Sequence, residues 1–393
     1  MRIADRLNCI KPSATLAVNA KALELKSKGI QVASLAIGEP DFATPAHICA
    51  AAKAAMDAGH TRYTAVAGIP ELRKAVGGYF SRTYGVDVPT DSVVISNGGK
   101  HSLFNIFQAL LNPGDEVLIP APYWTSYPDM VLLATGVPVS VPAGSAQGFK
   151  ITPASLEKYV SPKTRMLIFN SPSNPTGVVY TRAELDSIMQ WAVDNDIFVV
   201  SDEIYDQLVY APATATSVIT WWQRFPEKFA IMNGVAKTFA MTGWRVGYAV
   251  VHPALAKAMV TLQGQSTSSV CSVAQWAAVA ALNGPMDDAV TMKEHFLRRR
   301  DRAWSTISSW EGVVCPKPEG AFYLFADMSA LYTPQIADSA QLCTHLLEEA
   351  HVALVPGVAF GDDACVRFSY AVADTVLDAA LERIGNFLHK VRA

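Results

Sequence analysis

Three short stretches of the chain carry residue types that do chemistry only in company. Gly98, Gly99 and Lys100 follow the apolar run VVIS and open the helical stretch HSLFNIFQALL. Free backbone amides therefore stand at a helix N-terminus, where a phosphate group binds well. Asp202 follows IFVVS, where an acidic residue caps the next turn or holds a cation. Lys237 follows FAIMN within GVAKTFAMTGWRVG and has apolar neighbours in place of the charged ones usual around a surface lysine. An amine held in such surroundings loses proton affinity, which suits a Schiff-base nucleophile; snorkelling to solvent is the alternative. A Walker-type nucleotide loop competes for the Gly-Gly turn and fails. The earlier glycine of GxxxxGK[ST] is missing, and His101 occupies the Ser/Thr position.

The elements that must position these residues are short β-rich runs alternating with helical stretches: VVIS (93–96), EVLIP (116–120), MLIFN (166–170), IFVVS (197–201), FAIMN (229–233) and VGYAVV (246–251). Several are apolar without alternation, as expected of strands buried on both faces of a mostly parallel sheet covered by helices. NGGK, APYW, SPSNPTG, DEIY and GVAK follow directly at their ends. Ligands of such sheets bind beyond the carboxyl ends of the strands, so these five segments are expected to converge. From about residue 298 the pattern changes to a long helix, the strand-like AFYLF (321–325), an amphipathic helix around Gln341 to Ala350, two short strands and a final helix. This reads as a smaller α+β domain. The segment before about Pro45 has no strand partner nearby and is placed with it.

Composition narrows the class of partner. The 393 residues are 50% hydrophobic and 17% charged, with 32 Lys and Arg against 35 Asp and Glu. A formal charge of −3 gives no electrostatic reason to bind nucleic acid or an anionic membrane. Arg298, Arg299, Arg300 and Arg302 read as a solvated helix face. Six cysteines lie far apart, with no CxxC pair and no histidine at metal-ligand spacing, so neither a disulfide framework nor a metal site is expected. Mixed charges near the N-terminus and the lack of a long apolar run predict a cytoplasmic protein with reduced thiols.

Taken together, a candidate Schiff-base lysine, an acid and phosphate donors are what a pyridoxal 5'-phosphate enzyme needs. The sequence resembles the class I, fold-type I aminotransferases, in particular the bacterial aspartate aminotransferases that include aspartate/prephenate enzymes. The resemblance runs from KPSATLAVNAKALEL to VRFSYA, and its most specific element is GVAKTFAMTGWRVG. It implies an α/β fold: a large cofactor-binding domain (46–297) with a mostly parallel seven-stranded sheet between helices, and a smaller α+β domain formed by both chain ends (1–45 and 298–393). It implies a homodimer with shared active sites, acting on small amino acids and 2-oxo acids.

Carried over residue by residue, the resemblance makes Lys237 the Schiff-base lysine, Asp202 the partner of the pyridinium nitrogen, and Tyr205 and Asn174 the hydrogen-bonding partners of the ring's phenolic oxygen. Trp124 in PYW would stack on the ring with Ile204 opposite. Gly98, Gly99, Lys100 and Arg245 would bind phosphate, joined by Tyr63 across the dimer interface; a buried aromatic is the alternative for Tyr63. Arg367 in VRFSYA and the amide of Gly38 in IGEPDF would take the substrate α-carboxylate, with a buried salt bridge as the alternative for Arg367. Lys100 and Thr15, aided by Lys11, would read a side-chain carboxylate. Gly234 departs from the pattern, standing where many aspartate aminotransferases have a phosphate-binding serine. The implied reaction is L-aspartate plus 2-oxoglutarate to oxaloacetate plus L-glutamate. Prephenate, aromatic or other amino-group transfer, or a β-lyase on the same scaffold, are the alternatives.

Overall fold

The computed structural model describes residues 1–10, 12 and 14–392. Its strands are β1 (Ala33–Ser34), β2 (Val93–Ser96), β3 (Glu116–Ala121), β4 (Val137–Pro142), β5 (Thr164–Asn170), β6 (Phe198–Asp202), β7 (Phe229–Gly234), β8 (Gly247–Val250), β9 (Tyr323–Asp327), β10 (Val352–Ala353), β11 (Val355–Pro356) and β12 (Cys365–Ser369). Seven of them form the central sheet in the order β2-β8-β7-β6-β5-β3-β4, in which only β8 runs against its neighbours. Apolar residues from both faces of this sheet are buried. Ile95, Leu118, Leu167, Val199, Ile231 and Val250 enter one core, while Val94, Val117, Ile168, Val200, Ala230 and Ala249 enter the other. That double burial is why the strand sequences are apolar without alternation.

Register brings the chemistry-bearing ends together. Asn170 pairs with Asp202 and Asp202 with Met232 across β5, β6 and β7. Because β8 is antiparallel, its first residue, Gly247, lies opposite Ser96 at the end of β2 and Gly234 at the end of β7. A Cβ on Gly247 would fall 2.2 Å from the Gly99 nitrogen and 2.4 Å from the Gly98 carbonyl carbon. Strand β8 can therefore support the turn after β2 only as glycine.

A third core packs the three-stranded sheet β11-β12-β9 against the helices Asp287–Ser308, Ser339–Glu349 and Asp374–Arg392. Strand β1, in the N-terminal segment, pairs in parallel with β10, Ala33 opposite Val352. Among the described residues no helix is long and apolar enough to cross a membrane.

Three sequence expectations are corrected. The edge strand β4 had no counterpart among the expected strands: VPVSVP contains two prolines and is mostly not buried, so it lacks the apolar signature of its neighbours. The long helix expected from about residue 298 begins at Asp287 and runs unbroken to Ser308. Arg299 and Arg300 are buried on that helix instead of solvated. Arg299 donates to both Asp41 carboxylate oxygens at 2.7 and 3.0 Å, and Arg300 lies over the Tyr210 ring at 4.8 Å.

The contact between β8 and the turn after β2 gives a stability test. Gly247→Ala should lower the unfolding free energy by about 1–3 kcal/mol, the usual cost of forcing atoms into a packed site. This is read as a lower urea midpoint at unchanged slope; an unshifted midpoint would mean that the Gly98–Gly99 turn yields freely.

Candidate active site

Strands β5, β6 and β7, the turn after β2, the N-terminal segment and β12 surround one cavity of about 310 Å³, within the range that takes small ligands. Thr15, Gly38, Gly99, Lys100, Trp124, Asn174, Asp202, Tyr205, Lys237, Arg245 and Arg367 line it, together with Ile204. Gly98 adjoins as the N-cap of the helix Gly99–Leu110, with φ of 86°. Tyr63 is not in the wall; it is 93% exposed, which removes the alternative of a buried aromatic. Lys11 lies outside the described residues.

Lys237 follows the end of β7, and its amine donates to the Gly38 carbonyl at 2.5 Å. Burial pushes its pKa down to about 8 from 10.5; Arg245 and Arg367 act in the same direction, against Glu39 and Asp202. Asp202, the last residue of β6, uses its two oxygens separately. Oδ1 accepts from the Ile204 amide at 3.2 Å, which is the turn cap expected of a lone aspartate, and Oδ2 accepts from the Tyr127 hydroxyl at 2.6 Å. Burial raises its pKa to about 6, while these two donors and Lys237 oppose the rise.

Arg367 is 2% exposed and has no carboxylate partner among the described residues. It donates to Asn174 Oδ1 at 2.9 Å and to the Ala36 carbonyl at 2.7 Å, and its Nε has no hydrogen-bond partner among the described residues. The buried salt bridge weighed against a substrate role is thus absent. Its guanidinium lies between the rings of Tyr323, at 4.5 Å, and Phe360, at 4.9 Å. Asn174 is itself held through its amide by Asn170 Oδ1 at 2.9 Å, and Asn170 is anchored to the Asp202 carbonyl at 2.9 Å.

At the other end the first amides of the helix Gly99–Leu110 have no acceptor within the helix. Arg245, left-handed at φ 56°, donates to the Thr242 carbonyl at 2.9 Å. A Cβ on Gly98 would lie 2.5 Å from Arg245 Nη2, and one on Gly99 2.4 Å from the Met232 sulfur. The turn is a cradle that side chains would fill. Lys100 Nζ sits 4.8 Å above the Trp124 ring, and burial followed by Arg245 lowers its pKa. Gly234 is boxed in: its Cβ would stand 3.0 Å from the Val246 carbonyl and 3.3 Å from Ile204 Cδ1, so a serine there needs its neighbours to give way.

Comparison with known proteins agrees with this geometry. The family model "Aminotransferase class I and II" matches residues 30–384. An aspartate/prephenate aminotransferase of Cereibacter sphaeroides is 48% identical over 98% of both chains. The solved aspartate aminotransferase of Rhizobium meliloti superposes with a TM-score of 0.95 at 39% identity, covering 99% of each chain. That of Thermus thermophilus, solved with maleate, gives 0.92 at 42% identity over 98% of this chain and all of the other. The chain belongs to the class I and II aminotransferases. Its enzymes work with pyridoxal phosphate, and the cavity fits that group. Four cations and one carboxylate line it, in a chain whose formal charge is −3, beside a glycine cradle at a helix N-terminus and a buried guanidinium with an unused Nε.

Sequence reading missed Tyr127, Tyr323 and Asn170, all of which reach the cavity. Tyr127 carried a usable signal: it lies three residues beyond Trp124, hence one turn along the same segment, on the helix Ser126–Leu133. Tyr323 and Asn170 carried none beyond membership of a strand.

A lowered amine pKa has a kinetic signature, because only the neutral amine attacks an aldehyde carbon. The rate at which cofactor-free protein takes up pyridoxal phosphate should rise with pH to half its maximum near pH 8, the value for Lys237, and level off about one pH unit higher. Stopped-flow absorbance measures it; a rate still climbing towards the ordinary lysine value of 10.5 would contradict the burial of this amine.

Proposed function

We propose that the chain transfers the amino group of L-aspartate to 2-oxoglutarate, as a cytoplasmic homodimer with pyridoxal phosphate in the cavity. One observation carries the reading: a lysine amine of depressed pKa and a buried guanidinium without a carboxylate face the same small cavity. The names of the relatives support aspartate as donor. Maleate, the four-carbon dicarboxylate in the Thermus thermophilus structure, supports a site for two carboxylates. The Cereibacter sphaeroides relative's name supports prephenate as a second keto acid. In this reading the large domain spans 46–297 and the smaller one 1–45 with 298–393, which the pairing of β1 with β10 supports.

Bound pyridoxal phosphate supplies the electron sink that stabilises negative charge at the amino acid's α-carbon. Lys237 would hold the cofactor through its amine, and its Nζ, when free, would be the base placed to take the proton from the α-carbon. Asp202 would keep the pyridine nitrogen protonated, oriented for that task by Tyr127. Tyr205 and Asn174 would donate to the phenolic oxygen, Trp124 and Ile204 would hold the ring, and the amides of Gly98, Gly99 and Lys100 with Arg245 would bind phosphate. Arg367 and the Gly38 amide take the α-carboxylate. The Lys100 ammonium and Thr15, aided by Lys11, take the distal one. Tyr63, exposed on a single chain, reaches the phosphate of the other subunit.

Half-reactions with single amino acids, followed by the absorbance change of the cofactor, test the donor. Aspartate and glutamate should react, and Lys100→Ala should lower their kcat/KM by roughly ten- to a few hundred-fold, as for loss of a charge-assisted hydrogen bond. An apolar amino acid should be affected much less; equal losses would confine Lys100 to its backbone contact with phosphate.

The shared site gives a second test. Dilution that dissociates subunits should release cofactor and activity together, followed by analytical ultracentrifugation. A fully active monomer would remove Tyr63 from the phosphate site.

A further inference from the structure

Tyr323 opens β9 opposite Ser369 of β12 and is 1% exposed. Its hydroxyl oxygen lies 2.9 Å from that of Tyr205, and geometry alone lets either donate. Among the described residues neither oxygen has another hydrogen-bond partner, and both side chains line the cavity. The role proposed for Tyr205 fixes the direction: with its proton given to the phenolic oxygen of the cofactor, Tyr205 can only accept from Tyr323, whose buried proton would otherwise lack an acceptor at some cost.

The same ring has a second task. The Arg367 guanidinium lies 4.5 Å from the Tyr323 ring centre and 4.9 Å from that of Phe360, so it is sandwiched between two π faces. The Gly38 backbone closes over the Tyr323 hydroxyl so tightly that a Cβ at position 38 would stand 2.5 Å from the oxygen. One side chain thus touches Tyr205, Arg367 and the N-terminal segment.

We propose that Tyr323 is a positioning residue serving both ends of the site: its hydroxyl sets the donor strength of Tyr205, and its ring holds the Arg367 guanidinium in place for a carboxylate. This rests on the reading above, in which Tyr205 donates to the cofactor's phenolic oxygen and Arg367 takes the α-carboxylate. A hydroxyl that accepts a hydrogen bond becomes a stronger donor. A phenolic oxygen so bonded holds its negative charge more readily, and the proton shared with the neighbouring nitrogen leaves at lower pH.

The test uses protein loaded with pyridoxal phosphate, with two readouts: the pH midpoint of the visible absorbance change and the Kd for maleate. Tyr323→Phe keeps the ring and loses the hydroxyl, so the midpoint should rise by about half a pH unit while maleate binds within about twofold of wild type. Tyr323→Leu should show the same rise and weaken maleate by roughly three- to thirty-fold. In a Tyr205→Phe background, Tyr323→Phe should add no further shift, an outcome that a merely structural role would not produce. An unchanged midpoint in Tyr323→Phe, or a shift that persists without the Tyr205 hydroxyl, overturns the proposal, as does wild-type maleate affinity in Tyr323→Leu. Should the leucine variant fail to fold, the phenylalanine pair still decides. A wild-type chain that binds neither pyridoxal phosphate nor maleate would overturn the aminotransferase site itself, a failure visible before any variant is made.

Discussion

A guanidinium removed from water with no carboxylate to neutralise it is the constraint on which the rest of this site depends. Arg367 cannot be deprotonated at any physiological pH, and leaving such a charge buried and unpaired costs several kcal/mol. Three distant parts of the chain share that cost. The N-terminal segment offers the Ala36 carbonyl, the loop after β5 offers Asn174 Oδ1, and β9 offers the Tyr323 ring. None of these is an anion. A carboxylate ligand therefore meets a charge already oriented but not satisfied, and this is how a fold keeps binding energy in reserve for its substrate.

The central sheet was legible because its strands are buried on both faces, which writes an unbroken apolar run at each. β4 was not, because an edge strand with prolines and half-exposed side chains looks like a loop. The buried arginines show a different limit. Arg299 and Arg300 stand in a run of charges that local pattern assigns to solvent, yet Asp41 and Tyr210, far away in sequence, draw them inside. Likewise Asp202 and Lys237 were visible because each directly follows a strand, at the sheet edge where ligands bind. Tyr127 and Tyr323 act on other side chains, 75 and 118 residues away, and no local signal records such a contact.

Desolvation acts on the lysine and the aspartate of the cavity with opposite consequences, because its sign differs with charge type. It pushes Lys237 towards the neutral amine and Asp202 towards the neutral acid. In the proposed function the shift suits the lysine as it stands, because a neutral amine is the nucleophile, and runs against Asp202, which would hold a cation. Tyr127 and the Ile204 amide counter it by donating to the carboxylate, so that only a modest further pull is needed to keep Asp202 ionised. A protonated pyridine nitrogen would provide that pull, and by linkage the carboxylate would raise the proton affinity of the nitrogen in return.

The glycines complete the argument, because they decide how close backbone can come to backbone. Gly247 lets β8 rest on the turn after β2, and Gly98 and Gly99 leave room there for Arg245 and Met232. Gly234 has the opposite consequence. At that position a side chain would stand 3.0 Å from the Val246 carbonyl and 3.3 Å from Ile204 Cδ1, so it fits only if these neighbours move by a few tenths of an ångström. The same Ile204 side chain lines the cavity. A serine at Gly234 would gain a hydroxyl only by shifting the Ile204 side chain or the Val246 backbone, so the residues at 234 and 204 are coupled.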